Sequence, residues 1–525
     1  MPLLEDSGCA IGRDARTPGR AVKRVATSLA IVVVLLILGR PSVANENFAG
    51  FAYTNQPPTA DTWGPVQTEK ASLANLAPVL LPFFNNAPLF GLPGTAAGDF
   101  WHRTQLTGDW GGLRTDLAHR GFFFDLYSIS AYQNVMSGGL NTGSAFVQNT
   151  QLSINVDTGR AGLWPGGLLH LTVESRYGDP PEDTFTVGST APQYYGLALP
   201  GPLFSHDILP TQYFLAQSLH PNFSVILGKL NVIYLADQTL FGDSYKYYFA
   251  NFNFNKNPMA LNFYNTTSLA AVGVWTPTEW VTFAGGVFDA NSQANNLATN
   301  AFESVNLYGA AVFSYRVGDL PGQFIPQFNW TNKAKIDLDA PFGQLSQAQI
   351  PQAVGVLLGS PSSEGLPINF KSESWTTIAN FSQYLFVVDD TAAITQKLKS
   401  GQPLRGIGAL GRAGYAPDGT NPITRDASIA LFAHGLFAGR NYDSFGAGFY
   451  YNAISTKLKD SIKQLTAGTA TVKDEKGMEV FYDFAVTPAI RLIPSYQHIW
   501  NPLTAAAITK HSGADVFLVR LTVAF

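Results

Sequence analysis

Polar and apolar residues alternate in the stretch "LLHLTVESRY", Leu168 to Tyr177. If this stretch is a β-strand, its polar residues share one face, because successive side chains of a strand point to opposite faces. The polar residues are His170, Thr172, Glu174 and Arg176. Glu174 and Arg176 then lie about 7 Å apart along the strand. They offer a hydrogen-bond acceptor and a donor in a nearly neutral pair, which can bind a polar solute weakly.

Three further charged residues occupy the same kind of position. Arg412 shares a face with Leu410 in "GIGALGRAGY", and Glu479 shares one with Asp483 in "MEVFYDFAV". The competing interpretation is that such charges pair across strands and fill an interior, and it stays open for every residue of the set. The candidate solute contacts are His170, Glu174, Arg176, Arg412, Glu479 and Asp483.

Motifs for catalysis are incomplete in this chain. "FGDSY", Phe241 to Tyr245, resembles the serine motif of a lipase class, but the Asp-x-x-His pair that should follow it lies upstream, at Asp116 and His119. A catalytic triad needs all of its partners. "GIGALG", Gly406 to Gly411, fits a dinucleotide-binding pattern, yet no helix pattern follows it. We therefore expect no catalytic residue, no metal site and no cofactor.

The elements that must position the candidate residues are β-strands. About seventeen segments with a period of two follow Phe122, which is the pattern of half-buried strands. Short turns alternate with long polar stretches such as 331–374 and 453–477. This alternation is typical of transmembrane β-barrels, whose strands need roughly 10 residues each. Aromatic residues near segment ends suit interfacial girdles; they are Trp164, Tyr177, Trp275, Trp280, Trp330 and Trp500.

Composition favours the same class. Charged residues make up 13% of the chain, against roughly 25% in ordinary soluble domains, and the polar strand positions are mainly Asn, Gln, Ser and Thr. A soluble β-sandwich or jelly roll also alternates, but its polar face meets water and carries abundant charge. The net charge of −4 gives no basic surface for nucleic acid. We predict an all-β, antiparallel transmembrane barrel of about 16 strands.

The first 44 residues have the anatomy of a signal peptide. Lys23 and Arg24 precede an apolar run over residues 28–39, and small residues lead to a cleavage position after Ala44. The run is shorter than the roughly 20 residues of a membrane helix. A retained N-terminal anchor is the alternative. Cleavage would remove Cys9, the only cysteine, so we expect neither disulfides nor cysteine–metal sites.

An irregular segment over residues 45–121 precedes the barrel at 122–525. Its start is rich in Pro, Asn and Gly, which disfavours long regular elements. A short helix is predicted in "DWGGLRTDLAHRG", with Asp109 as N-cap and Gly121 just beyond the end.

The chain ends on the strand pattern "DVFLVRLTVAF". Its odd-numbered residues from Val519 to Phe525 are predicted to face lipid, and the even-numbered residues between them the interior. In a closed barrel this last strand must pair with the first. A final strand that ends in an aromatic ring resembles the signal read by the barrel-assembly machinery, so we expect Phe525 to contact that partner.

Three blocks resemble the carbohydrate-selective porin (OprB-type) family. They are "LTGDWGGLRTDLAHRG", Leu106 to Gly121, "RGIGALGRAGYAPDGTNPI", Arg405 to Ile423, and "MEVFYDFAVTPAIRLIPSYQHIWNP", Met478 to Pro502. They occur in the family's order, and the resemblance covers about residues 100–525. The region 290–375 matches poorly.

The resemblance implies a sixteen-stranded barrel in the Gram-negative outer membrane, with a narrowed pore for passive diffusion of glucose and related sugars. It also implies short helices near the periplasmic mouth. Monosaccharides or small oligosaccharides and the lipid bilayer are then the expected partners, and monomer and homotrimer both stay open. The alternatives are a general or acidic-solute porin, an outer-membrane barrel enzyme, and a secreted soluble protein that binds sugars.

The leader generates the first prediction. Because the cleavage pattern ends at Ala44, the mature protein should begin at Asn45. N-terminal sequencing of protein purified from outer membranes checks this, and a mature chain that starts upstream of Val25 would contradict it.

Overall fold

The structure is a computed structural model. It describes residues 99–179, 186–194, 208–231, 240, 244–264, 267–278, 280–294, 301–360, 362–391, 393–394, 397 and 403–525. The predicted signal peptide and residues 45–98 lie outside the described residues. No helix in these ranges combines the length and the apolar character needed to cross a membrane.

Sixteen antiparallel strands form a closed barrel, which confirms the predicted fold class. Each barrel strand pairs with the barrel strands that precede and follow it in the chain, and the last strand closes the ring on the first. The strands are β1 (Phe122–Gly138), β2 (Gly143–Asp157), β3 (Gly167–Gly178), β4 (Ile208–His220), β5 (Phe223–Asn231), β6 (Thr267–Thr278), β7 (Val281–Asp289), β8 (Val305–Val317), β9 (Leu320–Thr331), β12 (Ser374–Val387), β13 (Gly406–Tyr415), β14 (Ile423–His434), β15 (Ser444–Ile454), β16 (Glu475–Thr487), β17 (Ile490–Trp500) and β18 (Gly513–Ala524). A separate hairpin, β10 (Lys335–Ile336) with β11 (Phe370–Lys371), lies in the connection between β9 and β12.

The period of two separates the inside of the barrel from the outside. In β16, Glu479, Phe481 and Asp483 are buried, whereas Val480 and Phe484 are exposed. In β18 the even-numbered residues 514–524 are buried, and the odd-numbered residues between them are not. The predicted inward and outward faces of these two strands are thus confirmed.

The two ends of the barrel differ in their connections. Two-residue turns join β4 to β5, β6 to β7, β8 to β9 and β16 to β17, and we call this the short-turn end. The opposite, long-loop end carries 179–207, 232–266, 332–373 and 455–474. The connections from β2 to β3, from β12 to β13 and from β14 to β15 are the longer exceptions at the short-turn end.

The long-loop end has a packed apolar cluster of its own. It draws on helices α4 (Ile350–Leu357), α5 (Thr456–Leu465) and α6 (Leu503–Ile508), which contribute buried leucine and isoleucine side chains. Lys457 also crosses between these loops to pair with Asp339, which pairs as well with Lys371 of its own connection. These contacts hold the pKa of Asp339 below its usual value. The long polar stretches predicted from the sequence are therefore packed loops with short helices.

Residues 99–121 lie against the short-turn end. A 3-10 turn, Trp110–Gly112, leads into helix α1 (Leu113–His119), which confirms the predicted short helix. Its cap differs from the prediction. Gly112 precedes α1 at a φ of 99°, a left-handed conformation that favours glycine. The Asp109 carboxylate instead accepts hydrogen bonds from the backbone N–H and the hydroxyl of Thr115, at 2.9 and 2.7 Å.

Arg114 joins this helix to the first strand of the barrel and to the chain end that follows the last strand. Its guanidinium is buried and donates to the backbone oxygens of Phe124, at 2.8 Å, and Phe525, at 3.0 Å. The N–H of Phe525 in turn donates to the oxygen of Leu126 at 2.8 Å, and that of Leu106 to Ala524 at 2.7 Å. One side chain therefore holds the closing strands and the N-terminal segment together.

Replacing Arg114 with Met should destabilise the barrel. The change keeps most of the side-chain volume but removes charge-assisted hydrogen bonds, at a cost of about 3 kcal/mol. Heating followed by semi-native gel electrophoresis should show the folded band disappearing at a lower temperature. Arg120→Met, on the exposed end of the same segment, is the control. An equal temperature for both variants would contradict the role of Arg114.

Candidate functional site

Part of the connection between β5 and β6 lies inside the barrel. We call residues 244–264 the inner segment; it contains α2 (Ser244–Tyr247), α3 (Phe252–Asn255) and a 3-10 turn, Pro258–Asn262. Residues 248–259 are all buried. The inner segment follows the inner wall from β18 towards β9, and each part of that path has its own polar contacts.

The inner segment begins against β1 and β18. The Lys246 ammonium lies 4.2 Å from the ring centroid of Tyr127 on β1. Its backbone oxygen accepts a hydrogen bond from Thr522 at 2.8 Å, and that of Tyr248 accepts one from Arg520. Lys246 also interacts electrostatically with Glu174 on the opposite side of β1, which places a positive charge near that carboxylate.

Glu479 on β16 holds the middle of the inner segment. Its two carboxylate oxygens accept the N–H groups of Ala250 and Asn251, each at 2.8 Å. The Asn251 side chain donates to Gln497 on β17 at 2.9 Å. A carboxylate that receives two consecutive N–H groups satisfies backbone donors that have no sheet or helix partner. Glu479 is fully buried in this arrangement.

The last third of the inner segment is held by β13, β14 and β9. Arg412 donates to the backbone oxygen of Asn255 at 3.0 Å. The amide of Asn257 donates to both carboxylate oxygens of Asp426 at 2.9 Å. The Tyr264 hydroxyl donates to Asn329 at 2.6 Å. Buried charges on several strands thus bind the backbone and amides of one connection.

Aromatic packing fills the space between the inner segment and the wall. Phe249 meets Phe481 edge to face with centroids 4.7 Å apart, and Phe254 meets Tyr450 at 5.8 Å. On β15, the rings of Phe249 and Phe254 lie against Gly446 and Gly448. A Cβ at Gly448 would approach the Phe254 ring to 2.6 Å, so a side chain there would displace the segment.

The β3 residues predicted from the sequence form a second group. His170 stacks on Phe214 with centroids 4.6 Å apart and contacts Asn155 at 2.7 Å. The Glu174 carboxylate accepts from Thr211 at 2.7 Å and from Asn149 at 3.1 Å. This group is polar, buried and largely uncharged apart from Glu174 and its neighbour Arg176.

The structure brings the six candidates together in two sets, all buried. Arg176 donates to the backbone oxygen of Asp179, where the connection to β4 begins. Asp483 pairs with Arg491, whose guanidinium lies 5.3 Å from the Tyr247 ring centroid. His170, Glu174 and Arg176 therefore lie on β3, whereas Arg412, Glu479 and Asp483 surround the inner segment.

The inner segment is what sequence reasoning missed. Its stretch "YFANFNFNKNPMALNFYN", Tyr248 to Asn265, mixes aromatic residues with asparagine and has one charge, Lys256. Such a composition between two strand patterns suits a connection that is buried and hydrogen-bonded rather than exposed. That signal was available, but its one short alternation, Asn251 to Asn255, suits a strand and not the helix α3 that forms there, and it names no partner.

A closed sixteen-stranded barrel with a connection packed on its inner wall defines the class: a porin-type channel of the outer membrane. The sequence model of the family described as "Carbohydrate-selective porin, OprB family" matches residues 142–525. The chain belongs to this family.

Two relatives extend the comparison. A protein of Acinetobacter baylyi named as a porin, QuiX, is 22% identical over 450 residues, which cover 79% of this chain and 93% of that protein. The high-pH structure of Pseudomonas putida OprB is 16% identical, with a TM-score of 0.63; it covers 82% of this chain and 100% of that one. At this identity the structural likeness supports the fold alone.

Replacing Glu479 with Ala should loosen the inner segment. The change leaves the N–H groups of Ala250 and Asn251 without their partner and removes a negative charge beside Arg520, at a cost of about 3–5 kcal/mol. Single-channel recording in planar bilayers should show a larger and noisier conductance than the wild-type channel. Glu303→Ala, at an exposed position of the connection between β7 and β8, should leave the conductance unchanged. A wild-type trace from the Glu479 variant would show that this carboxylate does not position the segment.

Proposed function

We propose that the protein is an outer-membrane pore for the passive diffusion of carbohydrates, with glucose and related sugars as substrates. The observation that carries this proposal is membership of the carbohydrate-selective porin family over residues 142–525. Residues 1–44 serve as a cleaved signal peptide for export, and the exported barrel inserts into the Gram-negative outer membrane. Transport needs no metal, cofactor or covalent step.

The chemistry of the interior supports a neutral, hydroxyl-bearing solute. The inner faces of β2 and β3 carry amides and hydroxyls beside the charged pair; the nearest are Asn149, Gln151, Asn155 and Thr172. Such groups exchange hydrogen bonds with water and with sugar hydroxyls on similar terms. Binding therefore stays weak, and weak binding is what a channel needs for flux.

The six candidate residues take two roles in this proposal. Glu174 and Arg176 face the solute from β3 as acceptor and donor, with His170 beside them. Arg412 and Glu479 act on the solute through the inner segment, because they bind its backbone. Asp483 acts through Arg491. The role of these charges as interior filling, without solute contact, is the competing outcome.

Three alternative functions give different experimental results. A general porin would pass neutral solutes by size alone, and an acidic-solute porin would favour anions. A barrel enzyme would depend on Ser244, whose side chain lies outside the described part of the chain. The family and the fold are those of channels, which favours transport over catalysis.

Liposome swelling with the purified protein tests the main proposal. Glucose and related sugars should enter faster than neutral polyols of equal size, because the channel replaces part of their hydration. Rates that follow size alone would support the general porin instead. Faster entry of organic anions than of sugars would support the acidic-solute porin.

Replacing Arg176 with Ala should change selectivity. Loss of the guanidinium should alter the ratio of sugar flux to polyol flux by about twofold, equivalent to about 0.4 kcal/mol. It should also shift the ion preference towards cations, because a positive charge leaves the pathway.

The flux ratio from swelling and the reversal potential in planar bilayers measure these two effects. Arg316→Ala is the matched control, since Arg316 is exposed beside the turn between β8 and β9 at the short-turn end. If Arg176→Ala behaves like this control in both measurements, β3 does not contact the solute.

A further inference from the structure

A row of aromatic side chains lies on the outer face of the wall at the long-loop end, between β9 and β17. We call it the aromatic band: Trp330, Trp375, Tyr415, Tyr451 and Trp500. Each of them lies close to the end of its strand. The rings of Trp375 and Tyr415 are 5.7 Å apart between centroids. Outward aromatic residues near strand ends mark the level of the lipid headgroups.

Two strands inside this stretch of wall, β14 and β16, lack an aromatic residue at that level. Their positions in the row are taken by Arg425 and Lys476. Both side chains are exposed and face outwards, because the next residue of one strand, Asp426, and the preceding residue of the other, Glu475, are buried on the inner face. The two cations therefore stand at the headgroup level on the lipid side of the barrel.

The strand register places both cations beside rings of the aromatic band. Arg425 is paired with Tyr415, and Lys476 is paired with Tyr451 on one side and Trp500 on the other. The Lys476 ammonium lies 5.8 Å from the ring centroid of Tyr451. Arg425 interacts electrostatically with the same tyrosine from β14. The two charges thus flank Tyr451.

The acidic groups of this rim are engaged elsewhere. Asp474 accepts hydrogen bonds from the Tyr451 hydroxyl and from Lys459, each at 2.5 Å. Asp515, two strands beyond Lys476, accepts from the Tyr496 hydroxyl at 2.6 Å. Within the described part of the chain, neither Arg425 nor Lys476 forms an ion pair. Their positive charge is therefore left for a group outside the protein.

A lipid phosphate fits these two cations. They lie on strands that are two apart, so about 10 Å separates their backbones, and two long side chains can close on one phosphate across that gap. A phosphate accepts strong charge-assisted hydrogen bonds from both arginine and lysine. The apolar wall below them strengthens this attraction, because charges interact more strongly beside a medium of low dielectric constant. Basic groups at the headgroup level are a known means of binding anionic lipid.

The end of the barrel on which the cations lie selects the kind of lipid. Long loops face the outside of the cell and short turns face the periplasm, so Arg425 and Lys476 meet the outer leaflet. In a Gram-negative outer membrane this leaflet is built from a glycolipid with phosphate groups on its sugar rings. The band also offers the exposed face of Trp500, on which a sugar ring of that headgroup can lie.

We propose that Arg425 and Lys476, with Tyr451 between them and Trp500 beside them, form a binding site for the phosphorylated glycolipid of the outer leaflet. The site lies on the outer face of β14 to β17. It is separate from the channel interior and does not depend on which solute the channel passes.

Native mass spectrometry of the detergent-solubilised protein, titrated with bisphosphorylated lipid A, tests this proposal. The wild-type chain should bind the lipid saturably. Replacing both Arg425 and Lys476 with Gln should weaken binding about thirtyfold, because two basic contacts to an anionic lipid are lost. Exchanging the two cations, Arg425→Lys with Lys476→Arg, should keep the affinity within a few-fold of wild type.

A matched control removes the same amount of charge from the same end of the barrel. Lys463→Gln with Lys510→Gln changes two exposed loop lysines and should leave binding unchanged. A heat-modifiable gel shift confirms that every variant is folded. Three results would each overturn the proposal: equal binding by the Arg425/Lys476 and Lys463/Lys510 variants, equal binding of lipid A stripped of its phosphates, or equally tight binding of phosphatidylglycerol.

Discussion

The whole molecule depends on the closure of β18 on β1. A membrane-spanning sheet cannot leave backbone N–H and C=O groups facing hydrocarbon, so its two edges must pair with each other. The pairing runs from Tyr127 with Ala524 to Gly138 with Ala514. Arg114 extends it beyond the last ladder position by binding the backbone oxygens of Phe124 and Phe525. A closed barrel of sixteen strands has an interior too wide for side chains alone to fill.

The inner segment occupies part of this wide interior. Buried charged side chains allow its backbone to lie there. A connection that enters the barrel brings backbone groups away from bulk water, and each one needs a partner. Glu479 accepts two of its N–H groups, and Arg412 and Arg520 each donate to one of its backbone oxygens. These side chains are spread around the wall, so the segment is held at several points along its length. Several interior charges that suggest solute binding are thus already engaged in positioning the pore wall.

The sequence predicts what is local and periodic. Alternation in "MEVFYDFAV" places Glu479 and Asp483 inside correctly, because the side of a strand residue depends only on its parity. The partners of Glu479 could not be predicted in this way. Ala250 is 229 residues away, and the short alternation in "YFANFNFN" does not show which strands of the barrel the segment will contact. Asp109 shows a smaller failure: the N-cap rule found the helix, but two glycines after Asp109 let the chain turn before α1 begins.

A polar residue has a different meaning on the inward face of a strand than on its outward face. Inside the barrel, a polar residue carries little free-energy penalty. The inward polar residues of β3 are therefore only weak evidence for solute contact over simple filling of the interior. Outside, lipid penalises every unpaired hydroxyl, so an outward polar residue such as Ser130 or Thr150 needs a specific explanation. Two consecutive residues of β2 show the difference. Gln148 faces outwards beside Ser128, whereas Asn149 faces inwards and donates a hydrogen bond to Glu174. The same strands therefore line a candidate solute pathway on one side and form the outer surface of the wall on the other, and neither face of β1–β3 can shift its register without moving the other.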